Sequence, residues 1–334
     1  MSLLSSLLIS SGIWRAVLFT PGGDLPFQLK IEQNKNVPTF TIINGNENML
    51  LDDVTVKGDS IIVRFPVYES ELRLKATSKN HLEGAFINLT RSTHASIRME
   101  ANLSSEPRFS VKSASAPAAL AGRWSVTFAP GTADSSEAIG VFEQNKNHVT
   151  GTFLTTSGDY RFLEGVVDGD SLFLSTFDGV FVYLFKGAIK GDHINGMFYS
   201  GTHRQTPWVG TKNEKASLPD ANSLTTIKDG EKGFYFAFPD LDSMMVSIND
   251  SAFAGKVVIV QILGSWCPNC LDETAYLTDY YDKNKNRGIE IIGLSFEKTD
   301  DFKRASENVK RLRKRLKINY TLLIASNRDK LKVT

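Results

Sequence analysis

The sequence contains only two cysteines in 334 residues, Cys267 and Cys270, and they lie three positions apart. A framework of several structural disulfides is therefore excluded, and any cysteine chemistry is confined to one place. Acidic and basic residues nearly balance, with a formal net charge of +1, which gives no electrostatic footprint for nucleic acid or an anionic membrane. No apolar run reaches the roughly 18 residues that a membrane-spanning helix needs.

Proline is also absent from the end of the chain, because Pro268 is the last one. The opening segment MSLLSSLLISS (1–11) is apolar but short and has no basic flank, so it is not an intact signal peptide, although a trimmed one could leave such a remnant. The composition, 41% hydrophobic and 22% charged, is typical of a soluble globular protein. The length is sufficient for two or three domains.

The first two-thirds of the sequence contains an internal duplication. GIWRAVLFTPG (12–22) returns as GRWSVTFAPG (122–131), EQNKN (32–36) returns unchanged at 143–147, and VKGDS (56–60) returns as VDGDS (167–171). The order is kept and the offset is nearly constant. A repeat of this length indicates two copies of one structural unit, and we predict domains at 12–105 and 121–212.

Each copy has the pattern of an all-β unit. Short alternating runs such as HVTGTFL (148–154) are separated by Gly, Asp and Asn turns at the spacing of a meander. About eight strands per copy predict a small up-and-down barrel filled by side chains. The Gly-x-Trp openings at Gly12 and Gly122 resemble the first strand of lipocalin-like barrels. One β-sandwich with a copy in each sheet is the alternative.

The pattern changes after two polar stretches, a Ser-, Ala- and Pro-rich linker at 104–121 and a second segment at 213–223. VVIVQIL (257–263) and GIEIIGLSF (288–296) are continuous apolar runs typical of buried parallel strands. LDETAYLTDYYDKNK (271–285) has helical character, and a second helix and a third strand (320–326) follow. The order βαβαβ predicts a parallel sheet, and we place this domain at 226–334.

The pair Cys267 and Cys270 has three interpretations: a redox dithiol, half of a zinc site, or two inert core residues. A structural zinc ion needs about four Cys or His ligands, and all five histidines lie far away in the β copies. Placement favours redox chemistry, because a buried strand ends at Leu263 and a helix begins at the pair. Cys267 would then lie at a helix N-terminus, where free N–H groups stabilise a thiolate, and Pro268 would occupy the first helical position. Cys270, one turn later, would be the resolving thiol.

The segment 238–273 resembles the TlpA/ResA-like thiol–disulfide oxidoreductases of the thioredoxin fold. The resemblance is carried by Pro239–Asp240, Gly255–Lys256, Trp266, the two cysteines and Glu273, and it covers about 100 residues. It implies an α/β thioredoxin-like domain behind the two all-β barrel-like repeats. Ala275 stands where that family usually has proline. Because no proline follows Pro268, the resemblance also implies that the domain lacks its C-terminal cis-Pro hairpin and helix.

The resemblance implies an enzyme that reduces or exchanges protein disulfides, without a cofactor or metal. The implied catalytic residues are Cys267, Cys270 and Glu273, where Glu273 relays a proton to or from Cys270, while Trp266 and Pro268 shape the site. The implied partners are a protein disulfide or dithiol substrate and a redox partner protein, with no nucleic acid and no membrane span, and the implied location is the cell envelope or periplasm. The alternative function is a binding module in which the β repeats capture a ligand or envelope partner and the last domain is inactive.

Overall fold

The computed structural model describes residues 9–34, 37–90, 95–227, 229–230 and 233–325. Most of the apolar segment 1–11 thus lies outside the described residues. The chain forms two compact units. The first comprises residues up to 65 together with Ser70–Leu224, and the second comprises residues from 225 onward together with Pro66–Glu69. Each unit is described separately.

The first copy of the repeat forms a nine-stranded antiparallel sheet in the order β4-β3-β2-β1-β9-β8-β7-β6-β5. Alternation of side chains puts every second residue of a strand into the interior, as Leu25, Phe27, Leu29 and Ile31 of one strand illustrate by being fully buried. The strands are β1 (Gly12–Thr20), β2 (Gly23–Asn34), β3 (Val37–Asn44), β4 (Glu47–Leu51), β5 (Asp53–Lys57), β6 (Ser60–Arg64), β7 (Ser70–Ser78), β8 (His81–Asn88) and β9 (Ala95–Leu103).

The second copy forms its own nine-stranded sheet, ordered β11-β10-β18-β17-β16-β15-β14-β12-β13, and a further β11–β12 pairing closes it into a barrel. Its interior is packed with the copy's own side chains, among them Trp124, Phe153, Phe185 and Trp208. The strands are β10 (Gly122–Phe128), β11 (Ser136–Asn145), β12 (His148–Thr155), β13 (Gly158–Asp159), β14 (Leu163–Asp168), β15 (Ser171–Phe177), β16 (Val182–Lys190), β17 (His193–Ser200) and β18 (Arg204–Lys212).

The sequence repeat corresponds to a structural repeat. Trp14 begins the pairing of β1 with β9, and Trp124 begins the pairing of β10 with β18, in the same antiparallel register. Each indole N–H donates to the carbonyl oxygen four residues earlier, that of Ser10 or Leu120. Both tryptophans are at most 1% exposed. Because each copy forms a separate nine-stranded sheet, and the second is closed by the β11–β12 pairing, the prediction of two barrel-like repeats is confirmed and the single β-sandwich is wrong.

A hairpin of the second copy inserts into the first. Phe177, at the end of β15, packs its ring 4.8 Å from Phe27, 5.8 Å from Phe65 and 5.0 Å from Phe86 (centroid to centroid). Gly179, in the turn that follows, has a φ of 90°, and a Cβ there would lie 2.2 Å from the Phe65 ring. Only glycine meets both conditions, since it tolerates positive φ and occupies no side-chain volume.

Buried charges lie around the same contact between the copies. Arg108, from the segment predicted as a linker, is 3% exposed, and its guanidinium donates to the carbonyl oxygens of Ile43 (2.6 Å) and Ser175 (3.0 Å). The same group is 3.0 Å from Glu164. Burial lowers the pKa of Arg108 to about 10, while Glu164 opposes the shift. The linker is therefore anchored to both β copies.

A second ion pair lies nearby. The Arg161 Nη2 is 2.7 Å from Glu47 of the first copy, and its Nε is 3.5 Å from Asp178. Asp178 is fully buried, and one of its carboxylate oxygens accepts the N–H groups of Val180 (2.9 Å) and Phe181 (2.7 Å). Burial raises the pKa of Asp178 to about 6 in spite of these partners.

The second unit is an α/β domain. A short hairpin of β19 (Ala237–Pro239) and β20 (Met245–Ser247) precedes a parallel sheet in the order β21-β22-β23. The core contains Phe236, Phe238 and Phe253 together with Ile292 and Leu294. The other elements are β21 (Val257–Leu263), α1 (Pro268–Asn284), β22 (Ile289–Phe296), α2 (Phe302–Leu316) and β23 (Thr321–Ala325), with a 3-10 turn at Lys285–Arg287. A further 3-10 turn, Ala221–Ser223, belongs to the first unit.

The predicted fold class, two barrel-like β repeats followed by a small thioredoxin-like α/β region, is confirmed. The helix α1 continues without a break through Ala275, where the family pattern has proline. Within the described residues, no helix combines the length and the apolar character needed to cross a membrane.

The buried carboxylate of Asp178 predicts a pH-dependent stability. Its folded pKa of about 6 exceeds its ordinary value of 3.8, so the folded state binds a proton that the unfolded state releases. This contribution is complete below pH 3.8 and is lost as the pH rises through 6. Between pH 7.5 and pH 5, chemical denaturation should show the wild type gaining roughly 1 kcal/mol relative to Asp178→Asn. Asp134→Asn, at an exposed position, is the control. If the difference in unfolding free energy between the wild type and Asp178→Asn does not change with pH, the raised pKa of Asp178 is contradicted.

Candidate functional site

The two cysteines lie at the junction of β21 and α1. The apolar run of β21 ends at Leu263, and Gly264 and Ser265 turn the chain. The Cys267 N–H donates to the Gly264 carbonyl oxygen at 3.0 Å and closes this turn. Cys267 has an extended backbone and is the N-cap residue of α1. The sequence pattern had placed the strand end, the turn and the helix start at these positions.

Cys267 accepts hydrogen bonds from two backbone N–H groups in the first turn of α1. Its sulfur accepts the Cys270 N–H at 3.2 Å, and its carbonyl oxygen accepts the Leu271 N–H at 3.1 Å. Pro268 occupies the first helical position, where a missing N–H costs nothing, and it is buried. The positive end of the helix dipole is therefore directed at the Cys267 sulfur, which favours a thiolate there.

Cys267 and Cys270 form a disulfide, with their Cα atoms 5.2 Å apart. Both side chains are half-buried, so the bond lies near the surface and not in the core. Within the described ranges, no three His, Cys, Asp or Glu side chains converge on a possible metal position. What this arrangement can do chemically is exchange between a disulfide and a dithiol.

Trp266 folds back onto the turn. Its indole N–H donates to the Phe296 carbonyl oxygen at 2.9 Å, and the Lys298 ammonium lies 4.2 Å from the ring centroid. Gly264 makes room for the ring, because a Cβ at that position would lie 2.4 Å from the indole nitrogen. The ring of Trp266, a residue predicted to shape the site, packs on the turn that leads to Cys267, and its role stays a prediction.

Glu273 takes part in a polar network beside α1. Its carboxylate accepts a hydrogen bond from the Gln261 side-chain amide at 2.9 Å, and the same amide donates to the Thr274 hydroxyl at 3.0 Å. Thr274 in turn donates to the Cys270 carbonyl oxygen at 2.6 Å. The Tyr320 hydroxyl donates to the Gln261 side-chain oxygen at 3.2 Å. Burial raises the pKa of Tyr320 to about 12, so it remains a neutral donor.

A buried carboxylate, Glu297, lies behind the turn. It follows the last residue of β22 and is 2% exposed. It accepts hydrogen bonds from the backbone N–H of Ser265 at 2.8 Å and from the Ser265 hydroxyl at 2.7 Å. Gln261 and Glu297 were not among the predicted site residues. The sequence offers a reason to select Gln261, because it is the one polar residue in the run VVIVQIL. Glu297 carries no comparable local signal.

The second unit is similar to a known protein family. Residues 230–332 match the model of the AhpC/TSA family. The second unit is a thioredoxin-like domain. Its match covers less than a third of the chain, and the β repeats lie outside it.

The relatives of the thioredoxin-like domain include thiol–disulfide oxidoreductases. The chain is 35% identical over 71 residues to the thiol-disulfide oxidoreductase ResA of Bacillus thuringiensis subsp. konkukian, which is 21% of this chain and 40% of that protein. It is 30% identical over 101 residues to peroxiredoxin Bcp of Escherichia coli, which is 30% of this chain and 59% of that protein. The chain thus spans about two fifths of the length of its ResA relatives.

A solved structure is also similar to this chain. It is the thioredoxin domain of a thiol-disulfide oxidoreductase from Bacteroides vulgatus, with 26% identity. The match covers 32% of this chain and 71% of that one, with a TM-score of 0.27.

The contact between Gly264 and Trp266 predicts the effect of a single added methyl group. Gly264→Ala should displace the indole, cost about 1–3 kcal/mol of folding free energy and increase acrylamide quenching of tryptophan fluorescence. The quenching reports on Trp266, because Trp14, Trp124 and Trp208 are at most 1% exposed. In a Trp266→Ala background the same substitution should cost roughly half as much or less, since the clash is gone. Equal costs in the two backgrounds would contradict the clash.

Proposed function

We propose that this protein is a thiol–disulfide oxidoreductase that uses Cys267 as its nucleophile and Cys270 as its resolving thiol. The observation that supports this most directly is the capping of α1 by the Cys267 sulfur, which accepts the Cys270 N–H at 3.2 Å. A sulfur that already accepts a hydrogen bond at a helix N-terminus is stabilised as a thiolate, and the thiolate is the attacking species in disulfide exchange.

The proposed reaction has two exchange steps. The Cys267 thiolate attacks one sulfur of a substrate disulfide and forms a mixed disulfide, and the other substrate sulfur leaves as a thiolate and takes up a proton. The Cys270 thiol then loses its proton and attacks the Cys267 sulfur, which breaks the mixed disulfide and releases the second substrate thiol. Two electrons have passed from the dithiol to the substrate, and Cys267–Cys270 is left oxidised. A dithiol protein partner would reduce it for the next cycle.

The second step requires a group that accepts the proton of Cys270, and we propose Glu273 for this role. Glu273 lies three residues after Cys270, so both side chains are on the same side of α1. The hydrogen bond from Gln261 fixes its carboxylate. Gln261 is itself held by Tyr320 and Thr274, so the orientation of Glu273 is set by buried residues.

We further propose that the substrate is a protein disulfide and that the protein works in the cell envelope or periplasm. Both proposals rest on the ResA relatives and on a dithiol that lies near the surface. The boundaries 12–105, 121–212 and 226–334 remain our proposal for the domain organisation. In this proposal the thioredoxin-like domain carries out the exchange.

The full chain should therefore accelerate the reduction of insulin disulfides by dithiothreitol, and Cys267→Ser should abolish the acceleration because the nucleophile is lost. Cys270→Ser should accumulate a mixed disulfide, since the resolving step is lost. Brief iodoacetamide treatment of the reduced wild type, followed by mass mapping, should label Cys267 before Cys270.

Three outcomes would contradict this function. Preferential labelling of Cys270 would reverse the two roles. Consumption of hydrogen peroxide in place of insulin disulfides would favour the reaction named for the peroxiredoxin relative. An unreactive disulfide would favour the binding module with an inactive thioredoxin-like domain.

Glu273→Gln should slow insulin reduction about tenfold at neutral pH, because a positioned general base contributes a factor of about 100 or more and water replaces part of it. The rate of the first step, measured as Cys267 alkylation, should change little. Asp279→Asn is the matched control, since Asp279 lies on the same helix and pairs with the exposed Lys283. A Glu273→Gln variant with unchanged turnover would remove Glu273 from the mechanism.

A further inference from the structure

The proposed electron transfer leaves one buried charge near the dithiol without a role. Glu297 is 2% exposed, yet it carries a carboxylate at the end of β22. Burying a carboxylate is costly unless several hydrogen bonds satisfy it. Because a buried carboxylate costs stability, the groups that donate hydrogen bonds to Glu297 show which part of the fold it holds in place.

The Glu297 carboxylate joins three parts of the domain. One oxygen accepts the Ser265 N–H and the Ser295 hydroxyl, both at 2.8 Å. The other accepts the Ser265 hydroxyl at 2.7 Å and the Asn308 side-chain amide of α2 at 3.3 Å. Ser265 is thus held twice, through its backbone and through its side chain. It is 3% exposed and lies two residues before Cys267.

Four polar groups donate hydrogen bonds to the Glu297 carboxylate. A carboxylate offers acceptor sites on both oxygens, whereas the amide of a glutamine replaces one of these oxygens with a donor. In a Glu297→Gln variant, the side-chain NH2 would point either at the Asn308 amide or at the Ser265 N–H. Both of these groups are donors, so a hydrogen bond would be lost in either orientation. The hydrogen bonds of the turn therefore depend on two acceptor oxygens at position 297 and not only on the volume of the side chain.

We propose that Glu297 is a positioning residue for Cys267. Its carboxylate fixes Ser265, and Ser265 fixes the turn that keeps the Cys267 sulfur at the N-terminus of α1, where a thiolate is stabilised. This inference rests on the proposed function, because it assigns Glu297 to the reactivity of the same nucleophile. In this role Glu297 acts on Cys267 through Ser265 and exchanges no proton or electron with the sulfur.

The sign of a mutational effect separates this role from a simple effect of charge. A negative charge near Cys267 disfavours its thiolate, so removing that charge alone would lower the pKa of Cys267 and speed its alkylation. Loss of the hydrogen bonds to the turn has the opposite effect: the Cys267 sulfur moves away from the N-terminus of α1, its pKa rises and its alkylation slows. Ser265→Ala removes one hydrogen bond and leaves every charge unchanged. It therefore tests the turn by itself.

The experiment measures the alkylation rate of Cys267 in the reduced full chain over a range of pH. Glu297→Gln should slow the reaction about tenfold at neutral pH, equivalent to a rise of about one unit in the pKa of Cys267. Ser265→Ala should slow it about threefold. In the double variant the effects should not add, because both substitutions break the same interaction.

Glu290→Gln is the matched control, since it removes the same charge at the other end of β22, where Glu290 pairs with Lys256 and Tyr281. It should leave the alkylation rate unchanged. Faster alkylation of Glu297→Gln, unchanged rates in both variants, or additive effects in the double variant would each overturn the inference. A thermal melt identifies a variant that fails to fold, in which case Ser265→Ala decides alone. The two failures are distinguishable: if Cys270 is alkylated faster than Cys267 in the wild type, the proposed function fails, whereas a failure of this inference alone leaves Cys267 the faster thiol.

Discussion

The turn from β21 into α1 has to satisfy backbone N–H groups that neither the strand nor the helix can satisfy. A helix leaves its first N–H groups without intrahelical partners, and here a cysteine sulfur takes the place usually filled by a serine or aspartate oxygen. The Ser265 N–H, two residues before Cys267, donates to the Glu297 carboxylate. In the proposed function the same atoms have two tasks, because the sulfur that caps the helix is also the proposed nucleophile.

This requirement explains the arrangement of the surrounding residues. Pro268 removes one N–H that would otherwise need a partner, and Gly264 gives the Trp266 ring space against the turn. On the other side of α1, Gln261 and Thr274 connect the strand to the helix and carry the Glu273 carboxylate. The site is built on a strand, a helix and a short turn, which are more rigid than a long loop.

The sequence was sufficient for the parts that depend on local patterns. The strand before Cys267, the helix after it and the equivalence of Trp14 and Trp124 all follow from periodicity, spacing or repetition. It was not sufficient where residues far apart in the chain meet. Arg108 lies in a segment with the composition of a linker, and Asp178 lies in a Gly-containing turn that would ordinarily be exposed. Glu297 has the same limitation, because only the folded chain brings it to Ser265, 32 residues away.

The sulfur cap on α1 links the redox chemistry of the pair to the folding of the domain. The oxidised and the reduced chain each have a folding free energy, and the folded and the unfolded chain each have a free energy of reducing the cysteine pair. In a closed thermodynamic cycle, the difference between the first two quantities equals the difference between the second two. Any contact that holds Cys267 more tightly in one state therefore shifts the reduction potential. The scale is about 30 mV for each 1.4 kcal/mol in a two-electron couple. Under the proposed function, the turn at the start of α1 therefore contributes to the reduction potential of the cysteine pair.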